Sequence, residues 1–205
     1  RQMCIRDRTT KEEDFVEDVI IADSHSCLLL FTNTGRVYMK KAYQIPEASR
    51  TAKGTNIVNV IDMSEGEKIT SVISVAGFEE NEYFVMVTRH GIVKRANIKD
   101  FEYQRKGGKI AIHLDDGDEL VFVKHTTGEN DVILATREGK AVRFKETDAR
   151  VMGRAARGVR GIKLRGDDVV IGAAIVEEDR HLITLTEKGY GKRCLLYTSP
   201  SPRDT

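Results

Sequence analysis

Apolar residues in this chain fall in short runs rather than at helical spacing. The segments 15–22, 28–32, 36–40, 57–61, 69–75, 83–88, 119–123, 131–135, 140–144 and 169–176 are rich in Val, Ile, Leu, Phe and Tyr. Turn-forming Gly, Asn, Asp and Thr separate them. Runs of about four to eight such residues, bounded by turn formers, predict β-strands, and apolar i, i+3, i+4 periodicity is scarce.

The punctuation between the runs is periodic. T-x-x-G tetrads end at Gly35, Gly91, Gly139 and Gly189, at spacings of 56, 48 and 50 residues, each followed by a short basic and apolar segment. A second register is a basic-glycine step, Lys53-Gly54, Lys106-Gly107 and Arg157-Gly158, with glycines 53 and 51 apart. A third is an acidic turn around Gly66, Gly117 and Gly166, at spacings of 51 and 49. Glycine closing a T-x-x-G tetrad suits the left-handed position of a short hairpin loop. Units of about 50 residues with roughly four strands predict a repeating all-β array of propeller-like blades, because one small sheet cannot bury its apolar face alone. An ordinary β-sandwich with common hairpins is the alternative.

Charge follows the same period. Residues 36–53 hold five Lys/Arg against one acid, 89–109 seven against two, and 137–165 ten against three. The intervening windows 54–88, 110–136 and 166–187 each hold six acids and one base. The net charge of +1 hides this segregation. At 40% hydrophobic and 32% charged residues over 205 positions, the chain is too apolar for disorder and large enough for a globular domain. No run approaches the roughly 18 residues of a membrane span, and residues 1–30 lack a signal-peptide pattern, so a cytoplasmic setting is expected. Cys4, Cys27 and Cys194 show no metal-ligand spacing, and their odd number argues against a disulfide framework. Cys27, inside an apolar run, is expected in the core.

The strings themselves carry a resemblance. E-E-D-F at 12–15, T-G-R-V-Y at 34–38, Y-Q-I-P-E-A-S-R at 43–50, I-V-N-V-I at 57–61, D-G-D-E-L at 116–120, G-K-A-V-R-F-K-E at 139–146, G-V-R-G-I-K-L at 158–164 and G-Y-G-K-R at 189–193 occur in that order. Over about residues 9–193 the chain resembles the C-terminal domain of bacterial gyrase A, the DNA-cleaving component of DNA gyrase. The corresponding, more divergent component of topoisomerase IV is the alternative. The resemblance implies a β-pinwheel, a disc of four-stranded blades in which neighbours exchange a strand and whose basic rim bends DNA. About three and a half blades of an array of roughly six are expected here. It also implies a non-catalytic DNA-wrapping module of an ATP-dependent type IIA topoisomerase. Its partners would be double-stranded DNA, the rest of gyrase A and the gyrase B subunit in an A2B2 holoenzyme, with no membrane partner. The catalytic tyrosine would lie elsewhere in gyrase A, and ATP and Mg2+ in other domains or subunits, so no cofactor is expected in this chain.

Two features depart from the pattern. The family's Q-R-R-G-G-x-G box lies upstream of E-E-D-F and is not in this sequence; Gln104 to Ile110 (Q-R-K-G-G-K-I) resembles a degenerate copy at a later repeat, read as a phosphate-contacting loop or a plain blade connector. Residues 1–8 and 194–205 continue no repeat and resemble translated adapter sequence, which leaves 9–193 as the expected repeat domain.

The basic windows align across repeats and predict a stripe of phosphate contacts. Its members are Arg36, Lys40, Lys41, Arg50, Lys53, Lys94, Arg95, Arg105, Lys106, Lys109, Lys140, Arg143, Lys145, Arg154, Arg157 and Arg160. Each alone also reads as a solvated surface charge. The amides of Gly54, Gly107, Gly108 and Gly158 would admit phosphates closely, although a turn requirement explains them too. Nothing presents a base-reading pattern. Gly153 to Gly158 (G-R-A-A-R-G) imitates the start of a P-loop, but Val159-Arg160 replaces the required Lys-Ser/Thr. His25, His90, His113, His125 and His181 lack paired ligand spacing, so no metal site is expected. Asp115, Asp116, Asp118 and Glu119 read as a solvated hairpin, and Tyr38, Tyr43, Tyr83, Tyr103 and Tyr190 as packing or rim residues. A propeller whose basic rim binds an acidic protein is the alternative function, and an enzyme with a site on the propeller axis is a third.

Overall fold

Each T-x-x-G tetrad closes a hairpin. In the computed structural model, which describes residues 19–49, 52, 54–103, 107–177 and 181–195, the glycine amides of Gly35, Gly91 and Gly139 donate to Thr32, Thr88 and Thr136 at 3.0 Å, and Gly189 to Thr186 at 2.9 Å. All four glycines have φ between 75 and 82°. The hairpins are β1 (Cys27–Thr32) with β2 (Arg36–Lys41), β4 (Tyr83–Thr88) with β5 (Ile92–Asn97), β8 (Asp131–Thr136) with β9 (Ala141–Lys145), and β12 (His181–Leu185) with β13 (Gly191–Leu195). The acidic turns lead into β3 (Ile69–Val75), β7 (Leu120–Thr126) and β11 (Val170–Val176), which pair with β1, β4 and β8. Two short strands complete the set, β6 (Lys109–Ile110) and β10 (Val159–Arg160).

These two are exchanged between blades. β6 leaves its own repeat to pair with β2 of the preceding sheet, and β10 does the same to β5. The sheets therefore read β3-β1-β2-β6 and β10-β5-β4-β7, followed by a three-stranded β11-β8-β9 and the lone hairpin β12-β13. This is an all-β array of three blades and part of a fourth, and the β-sandwich alternative is excluded. β3, β7 and β11 gather on one side: β7 packs against both β3 and β11, and the Val123 amide donates to Ser71 Oγ at 3.2 Å. The exchanged strands lie at the opposite edge.

β4 shows why the blades cannot stand alone. Its residues 84–88 are all buried, and alternate side chains serve different interfaces. Phe84 and Met86 pack with Leu29 and Phe31 of the first blade, whereas Val85 and Val87 pack with Val132 and Leu134 of the third. Phe31, Phe84 and Phe101 meet edge to face, with centroids 5.3 to 6.2 Å apart, each pair worth about 0.5–1.5 kcal/mol beyond the area it buries.

A buried carboxylate anchors each acidic turn to the hairpin beside it. Glu67 accepts from Thr32 Oγ1 (2.6 Å), Thr34 Oγ1 (2.7 Å), Tyr38 OH (2.8 Å) and the Ser64 amide (2.9 Å). Asp118 accepts from the His90 and Glu119 amides, both at 2.9 Å, and Asp168 from the Glu138 (3.0 Å) and Val169 (2.9 Å) amides. Burial pushes the Glu67 carboxyl up, but its hydroxyl and amide donors more than offset this and hold it below the usual carboxylate range. Asp168 is depressed by the same balance, with Lys140 adding to it. Asp118 is therefore a buried acceptor and not part of a solvated hairpin.

The strand expected at 57–61 is instead a 3-10 turn, Ile57–Asn59, begun by Asn56, whose side chain accepts from the Val58 amide. Its apolar residues pack with Ile61 against Leu30 and Tyr38, which explains a strand-like composition without a ladder. Residues 19–22 of the expected first strand are not in one, and 15–18 lie outside the described residues, as do 1–8 and 196–205. β5, β6, β10, β12 and β13 were not expected as strands; β5 was hidden by Lys94 and Arg95, and β6 and β10 are two residues long. β13 runs to Leu195, beyond the expected end of the repeats at 193.

Blade junctions also depend on the tetrad glycines. The Gly35 carbonyl accepts from Ala111 (2.8 Å) and Ile112 (3.2 Å), and the Gly91 carbonyl from Gly161 (2.9 Å) and Ile162 (3.4 Å). A Cβ on Gly91 would lie 2.7 Å from Ile162 Cγ2, whereas one on Gly139 would meet nothing within 4 Å. Gly139→Ala is expected to cost only the left-handed backbone, about 1–2 kcal/mol. Gly91→Ala should cost at least about 1 kcal/mol more from overpacking. Urea unfolding of the two variants compares them directly, and equal losses would mean that the junction does not constrain Gly91.

Candidate nucleic-acid interface

The edge formed by the exchanged strands is where the connectors run. β6 follows β5 in the chain and pairs with the preceding blade; from β9, residues 146–158 cross to β10. The second connector lies along β5, with a parallel bridge between Arg95 and Val151 and the Met152 amide donating to Arg95 O at 2.8 Å. Lys109 and Arg160 are thereby carried to the outer edges of the two preceding blades.

Two expected rim residues are not on the surface. Lys94 is fully buried, and its Nζ donates to Ala111 O at 2.7 Å and to Arg154 O. Desolvation, assisted by the nearby Arg154 charge and opposed by Asp100, lowers its pKa to about 8. Arg95 is 9% exposed; its guanidinium lies 4.8 Å from the centre of the Tyr83 ring and 3.9 Å from Glu146. Glu146 is held in turn by Thr126 Oγ1 (2.6 Å) and the amides of Gly128 (3.0 Å) and Asn130 (2.7 Å). Both bases join blades from within, which removes them from a phosphate-contacting surface. Three residues after the tetrad glycines stand Tyr38, Lys94, Val142 and Lys192, of which Tyr38, Lys94 and Val142 turn inward and Lys192 is exposed, so the repeat gives only a partial signal for Lys94.

The remaining bases divide by their partners. Arg36 Nη2 donates to Gly107 O (2.6 Å) and Lys41 Nζ to His25 O (3.1 Å). Arg143 pairs with Asp131 at 2.6 Å, Lys140 with Glu138 at 3.4 Å, and Arg157 with Asp115. Acids of one window thus partly neutralise bases of another, which sequence counting does not show. Lys145 and Arg160 are exposed, and Lys40, Lys109 and Arg154 half-buried. Arg50, Lys53, Arg105 and Lys106 lie outside the described residues. Of the box-like segment 104–110, Gly107 holds Arg36, and Gly108 packs so closely on the Tyr38 ring that a Cβ would lie 2.7 Å from it. Tyr38 and Tyr83 are packed, while Tyr43, Tyr103 and Tyr190 are exposed. Cys27 lies in the core. Among the described residues no group of three His, Cys, Asp or Glu side chains is placed to hold a metal, and no helix is long and apolar enough to cross a membrane.

The family model described as the DNA gyrase C-terminal domain, beta-propeller, matches residues 28–76, 82–127, 130–177 and 180–198, one segment per blade. The chain belongs to this family. Among sequence relatives of this gyrase C-terminal domain, the DNA gyrase A protein of Salmonella typhimurium is 45% identical over 183 residues, covering 89% of the chain and 21% of that protein. The DNA gyrase A protein of Clostridium acetobutylicum is 50% identical over 157 residues, covering 77% of the chain and 19% of the relative. The chain therefore spans about a fifth of the length of the curated relatives it matches. Among solved structures, a DNA topoisomerase IV C-terminal domain superposes with a TM-score of 0.79 at 31% identity, covering 84% of this chain and 54% of that one. A DNA gyrase A C-terminal domain gives 0.70 at 27%, covering 91% and 62%.

Burial of the Lys94 charge has a pH consequence. With its folded pKa near 8 and the unfolded value near 10.4, the unfolded state binds more protons between these limits, so stability from this group rises with pH across that window. Relative to a Lys94→Met variant, the parent chain is expected to gain stability from pH 7 to 10, by up to about 3 kcal/mol. Chemical denaturation of both at several pH values measures the difference; a flat or falling difference would show that the lysine is not buried as a charge.

Proposed function

We propose that this gyrase C-terminal domain is a non-catalytic module that binds and bends double-stranded DNA along its rim, presenting the duplex for strand passage by an ATP-dependent type IIA topoisomerase. The observation that supports it most is the strand exchange, which carries Lys109 on β6 and Arg160 on β10 to the edge of the preceding blade, across the sheet from β3 and β7. Bending a 20–30 bp site by 40–90° costs on the order of 1–6 kcal/mol. One lysine does not offset that, but a row of phosphate contacts does, each adding about 0.9 to the salt slope. With no base-reading array, preference is set by DNA deformability. Strand cleavage and ATP hydrolysis belong, on this reading, to the rest of gyrase A and to gyrase B, which with this domain form an A2B2 holoenzyme.

Binding to duplexes of about 20 and about 140 bp across a salt series tests this, with end-to-end FRET reporting DNA shape. Tighter binding to the longer duplex, a steep negative salt slope and a shortened end-to-end distance are expected. Length-independent binding without shortening would point instead to an acidic protein as the rim's partner.

A further inference from the structure

The blades meet by one rule that the T-x-x-G hairpins share. In the first strand of each hairpin, the residues one and three places before the tetrad threonine face the following blade, and those two and four places before it face the preceding one. Leu29 and Phe31 of β1 thus pack with Phe84 and Met86 of β4, and Val85 and Val87 of β4 with Val132 and Leu134 of β8. Ile133 of β8 and Leu182 of β12 line one cleft of about 530 Å³ where the third and fourth blades meet. Two faces of this kind lack their counterpart. In β12 the positions for a following blade are Ile183 and Leu185, 64% and 76% exposed. In β1 the positions for a preceding blade are Leu28 and Leu30; among the described residues no blade packs on them, and Ile57, Val60, Ile61 and Met63 lie against them instead. Ile61, Ile112 and Ile162 each stand six residues before a buried acid, Glu67, Asp118 and Asp168. A Cβ on Gly35 would lie 3.1 Å from Ile112 and 3.2 Å from Leu114, and one on Gly91 2.7 Å from Ile162, so these residues seat on the tetrad turn of the preceding blade. A Cβ on Gly189, in the tetrad of β12 and β13, would meet nothing within 4 Å.

We propose that the Ile183 and Leu185 face of one chain docks on the Leu28 and Leu30 face of a second copy, continuing the stack of blades head to tail. Ile61 and Met63 of the second copy then seat on the Gly189 turn as Ile112 and Leu114 seat on Gly35. A second copy is the occupant because its first blade offers aliphatic side chains at both positions that the seam rule requires, already backed by the segment that closes such a seam. Large aliphatic side chains exposed together on a sheet face mark an association site, and this one does not depend on the rim taking DNA. The two faces are unlike, so the contact is heterologous: a chain joined by one face still presents the other, and association runs on beyond a dimer.

Sedimentation velocity of the chain over a concentration series tests this. The weight-average sedimentation coefficient is expected to rise with concentration and not to level at the dimer value. Leu185→Glu and Val60→Glu, each checked for folding by circular dichroism, should each stay at the monomer value. Their equimolar mixture should form a dimer and nothing larger, because one intact face of each kind remains. Leu185→Glu added to the parent chain should shorten its assemblies, since it docks by its first blade and offers no further face; this arm stands even if Val60→Glu does not fold. A parent chain that stays monomeric at every concentration overturns the proposal, as does a Leu185→Glu variant that associates like the parent. So does a folded Val60→Glu variant that still associates, which would mean pairing of two Leu185 faces.

Discussion

The outer edge of β2 presents backbone donors and acceptors that its own repeat never meets; β6, arriving from the next repeat, pairs with Arg36 and Val37 there, and β10 does the same for Ile92 and Val93 of β5. Unpaired strand edges are costly when buried and prone to aggregation when exposed. Borrowing a strand covers the start of that edge and makes each of the first two sheets depend on its successor. The chain must then cross from one blade to another once per repeat, and the crossing segments are forced to the outer edge. The edge proposed to carry DNA is the one where that backbone requirement puts the crossing segments.

Two kinds of buried polar group hold the turns and connectors to the blades. Glu67, Asp118 and Asp168 fix the acidic turns to the neighbouring T-x-x-G hairpins, each through two or more donors. Hydrogen bonds to a charged group are worth about 1.5–3 kcal/mol each, which is why the buried Glu67 and Asp168 carboxyls lie below the usual carboxylate range. Lys94 and Arg95 supply the opposite charge in the second blade, one holding the carbonyls of Ala111, just past β6, and of Arg154 in the next connector, the other stacked on Tyr83 beside Glu146. Apolar packing of Phe84, Met86, Val85 and Val87 on both faces of β4 then needs no further specification, because the register places them.

Much of this was legible in the sequence because it repeats. Glycine tetrads and acidic turns located the hairpins and the strands after them, and β3 and β4 were read with their observed ends, 69–75 and 83–88. The resemblance implied the strand exchange, but β6 and β10 are too short to stand out by composition. Windows of net charge were less reliable. They record where bases lie along the chain, not which way they point, so Lys94 and Arg95 were placed on a surface they do not reach. The last acid of each acidic turn likewise recurs at positions 67, 118 and 168, yet only the fold shows it turning inward to accept hydrogen bonds.

A rim that curves DNA continuously, rather than merely attracting it, changes the path of a closed duplex. The most direct measurement is ligation of nicked circular plasmid in the presence of the chain, followed by removal of protein and separation of the topoisomers. Wrapping predicts a distribution displaced from that of the protein-free ligation, by an amount that grows with the number of chains bound per plasmid. An unchanged distribution on plasmid shown to be saturated with folded protein would contradict it, leaving a basic surface that holds DNA without bending it around the blades.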